Sequence, residues 1–342
     1  MSSTNQVRAS RLAGPLPIPA AVPAFLDAPV CPLCGHSETE KAFSDNGCVL
    51  YVCKVCDLFF VHPYPARSSQ HQRVSSGTNG QIELLDLRRR YQGERLFYDR
   101  HFGLIAEEIS GASSLLDVGC GTGNLLERLE AQANLHRAGI ELNAQAARFA
   151  RRTAGCAVWE MPFEAYHGGR QFDVITLINV LSHIPTFEGL FASLRTALLP
   201  GGKVIIRTSE MSRNVSRWNQ IHWGIPDDLH FLGLGTLDYL CKKYGFVVTR
   251  RVRTPFELEL FCRSRWEQMG RSKLQNIVKK LATRVPLALP ALKSLYSAVL
   301  GRRLFVSFIV LMALPSNGDA DRPGASASPG PRAGFDEENA RT

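Results

Sequence analysis

Four of the nine cysteines stand in two tight pairs, Cys31-Pro-Leu-Cys34 and Cys53-Lys-Val-Cys56, with eighteen residues between them. Two CxxC knuckles at this separation can bring four thiolates to the corners of a tetrahedron around Zn²⁺. With every ligand a thiolate, no coordination position stays open to water, so the expected metal is structural. Gly35 permits a tight turn after the first knuckle, whereas Asp57 makes the second less regular. Two disulfides are the alternative; the absence of a recognisable secretion signal favours a reducing compartment and therefore metal. Cys48, Cys120, Cys156, Cys241 and Cys262 are scattered and read as small core residues.

A second group works through backbone amides. Ser114-Leu-Leu-Asp-Val-Gly119-Cys-Gly121-Thr-Gly123 reads as a buried strand entering a glycine turn, followed by a helix with Leu125, Leu126 and Leu129. Such a turn lets a ligand approach the backbone closely and aims amide donors at it. Asn124 stands where a dinucleotide GxGxxG motif needs its last glycine, which argues against NAD. Eighteen residues past Gly123, Glu141 ends a second strand. A carboxylate there can accept from both ribose hydroxyls of an adenosine lying across the strand ends. A later stretch, Trp218 to Phe231, is dense in titratable and aromatic groups, with His222, Trp223, Asp227, Asp228 and His230.

These groups need a scaffold, and its outline is an α/β chain of six segments. Residues 1–29 form a proline-broken leader expected to be disordered, 30–65 the cysteine module, 66–112 a helical linker or lid, and 113–262 an alternating strand and helix domain. Residues 263–314 form a basic amphipathic extension, and 315–342 a solvated, disordered tail. The net charge of +9 invites a nucleic-acid or membrane partner, but 115–210 is neutral and 263–314 alone carries ten basic residues against one acidic. No run reaches the roughly 18 to 20 apolar residues of a membrane span.

In order along the chain, LLDVGCGTG (115–123), GIE (139–141), FDVITLINVLSHI (172–184), LLPGGKVIIRT (198–208) and LGTLDYLCKKYGF (234–246) resemble the motifs of class I S-adenosylmethionine-dependent methyltransferases. The added cysteine module resembles the zinc ribbons of methyltransferases acting in polysaccharide, deoxysugar and natural-product biosynthesis. This resemblance implies a seven-stranded, Rossmann-like sheet with a small N-terminal ribbon and a helical C-terminal extension, and a cytoplasmic enzyme using S-adenosylmethionine. Carried over by position, Asp117, Gly119, Gly121 and Gly123 lie along the methionine part of the cofactor, and Glu141 binds the ribose. The acidic residue usual at the third strand's end does not align cleanly: Glu160 is one option, with Met161 or Phe163 against the adenine another. Asp173 reads as structural.

Methyl transfer from a sulfonium disperses charge, so alignment and exclusion of water matter most, and a base is needed only for a hydroxyl or carbon acid. Ligands of open α/β sheets bind at the carboxyl ends of the strands, which selects Asn179 and His183. In the resembled family a histidine shortly before the Thr-Leu helix lines the substrate pocket, and His230 has that place. The expected base is His230, with His183 second, and the expected partner a small molecule with a methylatable oxygen or carbon. An RNA methyltransferase is the alternative, disfavoured by the slightly acidic ribbon and by Asn179-Val-Leu-Ser where amino-nitrogen methyltransferases carry an Asn-Pro-Pro-Tyr-like segment. A non-catalytic binder is disfavoured by the intact glycine turn and Glu141.

Leu274, Ile277, Val278 and Leu281 form an apolar helix stripe beside Lys279 and Lys280. The extension is expected either to pack as a lid over the site or to touch a membrane surface. Phe305 to Leu314 either supplies the last strand of the sheet or leaves the sheet without it.

Overall fold

A strand whose residues are all buried can survive only in the middle of a layered sheet, and Ser114–Val118 is such a strand, buried at all five positions. The computed structural model describes residues 29–45, 47–64, 71, 84–166, 171–211, 225, 228–255 and 304–313. In chain order the strands are β1 (Thr39–Asp45), β2 (Cys48–Cys53), β3 (Phe59–His62), β4 (Ser114–Val118), β5 (His136–Ile140), β6 (Ala157–Trp159), β7 (Phe172–Ile178), β8 (Leu198–Met211), β9 (His230–Gly233), β10 (Phe246–Pro255) and β11 (Leu304–Ala313). The helices are α1 (Leu84–Glu108), α2 (Asn124–Arg128), α3 (Ala144–Ala154), α4 (Phe187–Ala197) and α5 (Thr236–Tyr244).

Seven of the strands form the expected sheet in the order β6-β5-β4-β7-β8-β11-β10, with β11 antiparallel to both neighbours and β4 to β8 parallel to one another. The reversal of strand order at β4 opens the crevice in which such sheets bind ligands. Residues 304–313 are therefore a central strand of the sheet and not part of a helical extension, which corrects the boundary drawn at 262. The leader, the tail and the amphipathic 256–303 lie outside the described residues, as does the question of lid or membrane. No described helix is long and apolar enough to cross a membrane.

The cysteine module is continuous with this sheet. β7 leaves β8 after Ile178 pairs with Arg207, while β8 runs on to Met211. On the edge so vacated β9 pairs with Glu210 and Met211, and β3, β2 and β1 follow antiparallel beyond it. The chain turning out of β7 therefore passes through an angle closed on one side by the main sheet and on the other by the ribbon. Glycine permits one close approach there: a Cβ on Gly233 would lie 2.0 Å from the Asp57 carbonyl oxygen of the second knuckle.

Two apolar layers cover the faces. α1 presents Tyr98 and Ile105, and the turn after it Ile109, to the side built from α2 and α3. α4 and α5 pack on the other face with Phe172, Ile206 and Ile309, beside the cysteine knuckles. α3 has Asn143 as its N-cap, its side chain accepting from the Ala146 amide, and ends at Gly155 in the left-handed region. Its buried Ala146, Ala147, Ala150 and Ala154 keep it thin enough to lie against the glycine turn.

Candidate active site and cysteine centre

The glycine turn leaves β4 at the carboxyl edge with Gly119, Gly121 and Gly123 all at positive φ. A Cβ on Gly119 would meet Val180 Cγ2 at 2.4 Å, and one on Gly123 would meet the Ala150 backbone at 3.0 Å. Glycine is thus required by both conformation and space. The Gly121 amide donates to Glu141 Oε2 at 2.9 Å and the Asn143 amide to Oε1 at 2.9 Å. Each carboxylate oxygen keeps a second lone pair, so Glu141 is fixed in place and still able to accept from a diol. Burial pushes its pKa up, opposed by Arg90 and by the two amide bonds.

Behind the turn, Asp117 is buried and accepts from Thr176 Oγ1 at 2.6 Å, but its Oδ2 has no hydrogen-bond partner among the described residues. Burial lifts its pKa to about 7, the Thr176 bond opposing and the Glu94 and Glu141 charges adding. An orphaned buried carboxylate oxygen is a mark of an absent polar partner.

A cavity of about 500 Å³ opens from this turn. Gly119, Gly121, Glu141, Asn179 and His183 line it; Asp117, Gly123 and His230 do not. Met161 and Phe163 line the cavity, whereas Glu160 does not. Asp173 is structural, holding the start of β4 through the Ser113 and Ser114 amides at 2.9 and 2.8 Å. Asn179 has φ 59° and accepts from Arg207, its own amide donating to the Arg207 carbonyl at 2.9 Å.

Sequence reasoning missed the wall supplied by α1, namely Arg90, Gly93, Glu94 and Tyr98. Glu94 accepts from the Thr122 hydroxyl and, at 3.3 Å each, from the Thr122 amide and the Asn124 side chain; Arg90 pairs with it at 2.8 Å. The signal was present: Glu94 is an acid inside the stripe of Leu87, Tyr91, Tyr98 and Ile105, where a solvent-facing charge would not stand. His71, also unforeseen, lines the cavity 3.7 Å from Glu164.

The two histidines part company. His183 ends a short 3₁₀ turn after β7 (Leu181–His183), lines the cavity, and has its Nε2 3.6 Å from Asp228 Oδ1, which also accepts from Ser182 Oγ at 2.6 Å. His230 is 1% exposed, pairs its backbone with Phe60 of β3, and packs its ring 4.4 Å from that of Phe187. Burial drives its pKa down to about 3, assisted by His183 and opposed by the Leu181 backbone. The physical reason for the correction is the β3–β9 pairing, which turns His230 into the interior, where Tyr64 Oη lies 3.4 Å from its Nδ1. Trp218, His222, Trp223 and Asp227 lie outside the described residues.

The four cysteines meet as expected. Their sulfurs lie within 4.8 Å of one another, with Cys31 to Cys56 at 3.6 Å and Cys34 to Cys53 at 3.4 Å. These separations exceed a disulfide's ~2.05 Å and approach the ~3.8 Å edge of a zinc tetrathiolate. Burial raises the Cys34 thiol to about 11, whereas the hydrogen bond from Cys56 lowers that of Cys31 to about 5. The donor set and its spacing fit Zn²⁺. The glycine cradle, Glu141 and the orphaned Asp117 oxygen likewise fit an adenosyl amino acid.

A family model described as a methyltransferase domain matches residues 87–251. The ubiquinone biosynthesis O-methyltransferase of Nitrosococcus oceani is 30% identical over 190 residues, covering 54% of this chain and 71% of that protein. The protein of the same name from Aromatoleum aromaticum is 31% identical over 173 residues, covering 48% of this chain and 65% of that one. The chain spans about half to two thirds of the length of the first curated relatives it matches. Among solved structures, an O-methyltransferase from a trans-AT polyketide synthase of Brevibacillus brevis, in complex with S-adenosyl-L-homocysteine, aligns with a TM-score of 0.44. It is 15% identical over 66% of this chain and 72% of that one.

Proposed function

Since this chain belongs to the class I S-adenosylmethionine-dependent methyltransferases, we propose that it methylates a hydroxyl oxygen of a small molecule, a sugar or secondary metabolite, with His183 as general base and Asp228 as its orienting partner. The observation that carries this reading is the position of His183, on the cavity wall and paired to a carboxylate that is itself held by Ser182. A hydroxyl acceptor agrees with the names of the relatives, and it is the acceptor class that needs a base at neutral pH.

When bound, the cofactor supplies an electrophilic methyl carbon on a sulfonium. The chain's own groups do the rest. Glu141 holds the ribose, the glycine turn lets the methionine part approach the β4 edge, and Met161 and Phe163 cover the adenine. Arg90 and Glu94 of α1 close the opposite wall and exclude water, which favours dispersal of charge in an in-line displacement. His183 takes the acceptor proton as the oxygen attacks, and Asp228 stabilises the imidazolium so formed. The four cysteines hold Zn²⁺ as a closed structural site, with no role for the ion in the transfer.

The test is methyl transfer from labelled S-adenosylmethionine to a panel of hydroxylated sugars and phenols. His183→Gln is expected to lower kcat by about 10²-fold or more while S-adenosylhomocysteine affinity is kept. A variant with full turnover removes His183 from the mechanism.

A further inference from the structure

We infer that the cysteine ribbon positions the acceptor side of the cavity, through a backbone path to His183 and Asp228 and a side-chain contact from Tyr64, and leaves the cofactor side untouched. This rests on the roles proposed for His183 and Asp228.

No described residue of the ribbon lines the cavity, yet its bonds converge on the acceptor wall. The second knuckle closes with the Cys53 amide donating to Leu58 O at 2.9 Å, and Asp57 then packs under Gly233 at the end of β9. β3 leaves the knuckle and pairs Phe59 with Phe231 and Phe60 with His230. One residue on, the Val61 amide donates to Leu229 O at 2.9 Å, and the Leu229 amide to Ser182 O at 2.8 Å. Ser182 Oγ in turn donates to Asp228 at 2.6 Å, and Asp228 faces His183. From Val61 through Leu229 to Ser182 the links are backbone hydrogen bonds, so displacement of β3 passes to the 3₁₀ turn that carries His183.

A second path ends at the same wall. Tyr64, two residues past β3, donates its hydroxyl to Pro185 O at 3.2 Å, and Pro185 lines the cavity next to Ile184 and His183. The ribbon is anchored from below by Lys243 of α5, whose Nζ donates to Leu33 O at 2.6 Å. The cofactor side is built differently: Glu141 hangs on the Gly121 and Asn143 amides, and the glycine turn is braced by Glu94. Those partners belong to the turns after β4 and β5 and to α1. Opening the knuckles should therefore loosen one half of the site and spare the other.

The experiment compares the full chain with zinc and after treatment with a zinc chelator, by amide hydrogen exchange and by calorimetry with S-adenosylhomocysteine. Metal release is expected to accelerate exchange at 182–184 and 229–233 by about tenfold or more, with 115–123 and 137–141 changing by less than about twofold and affinity by less than about twofold. Protection persisting at 229–233 overturns the proposal. So does loss of the glycine-turn protection and of affinity in parallel, since the ribbon would then hold the whole fold. In Tyr64→Phe with metal bound, the ¹³C-histidine resonance of His183, assigned by its loss in His183→Gln, is expected to shift while affinity is retained; an unmoved resonance overturns the Tyr64 contact. If His183→Gln kept full turnover, the base assignment would fall while the exchange result stood, so the two readings fail separately.

Discussion

The interior position of His230 makes the stability of the fold depend on pH. An unperturbed histidine titrates at 6.5, and burial lowers this one to about 3. Its contribution is complete above the unfolded value and is lost as pH falls from 6.5 toward 3, because the unfolded chain takes up the proton that the folded chain refuses. Between pH 7.5 and pH 5 the loss comes to about 2 kcal/mol, and below pH 3 it would approach about 5 kcal/mol. Asp117 acts in the opposite sense. Raised to about 7, it makes the fold relatively more stable as pH falls, by about 2 to 3 kcal/mol over the same range. The slope of the parent protein therefore mixes both groups, and only a difference isolates His230. The assay is urea unfolding at pH 7.5 and pH 5 for the parent and for His230→Phe, which leaves the Tyr64 bond to Pro185 in place. The parent is expected to lose about 2 kcal/mol more than the variant on acidification. A difference under about 0.5 kcal/mol would refute the reasoning: His230 would then be reached by water and near its ordinary pKa, and would return as a base.

If Glu141 holds the ribose as proposed, Glu141→Gln, which removes the charge while keeping the shape, should weaken S-adenosylhomocysteine binding by about 1.5 to 3 kcal/mol in calorimetry. Gly119→Ala places a methyl group 2.4 Å from Val180 at φ 69°, so it should cost at least about 1 to 2 kcal/mol of stability from the left-handed backbone alone, measured by denaturant titration, and should reduce cofactor affinity as well. Metal analysis of the purified chain should find about one zinc per molecule, and Cys34→Ser should lower that occupancy and the melting temperature together.

The features legible in the sequence were those whose partners are close along the chain or recur at fixed spacing. The glycine turn and Glu141 are two consecutive strand ends, and the cysteine knuckles encode their geometry in the two residues between each pair. β11 was ambiguous because a strand buried on both faces is a plain apolar run, and nothing local in Leu304 to Ala313 says that it inserts between β8 and β10. The wall from α1 went unread because Arg90 and Glu94 also form an ordinary charged pair at i, i+4, and the place of Glu94 inside the apolar stripe gains meaning only once Thr122 and Asn124 are seen to donate to the carboxylate. The different burial of His183 and His230 goes with the β3–β9 pairing, a contact between residues 172 and 170 positions apart, which no local pattern announces.

The place of β11 bears on how the chain is made. Among the described residues, β10 pairs with β11 alone, and the far edge of β8 is covered by the same strand. A ribosome that has released everything as far as β10 has thus produced a half-sheet with two open edges, each offering unpaired amides and carbonyls to any neighbouring nascent chain. Closure waits for residues 304–313, so a shortened product ending before them should be captured by chaperones or aggregate instead of folding as a smaller enzyme.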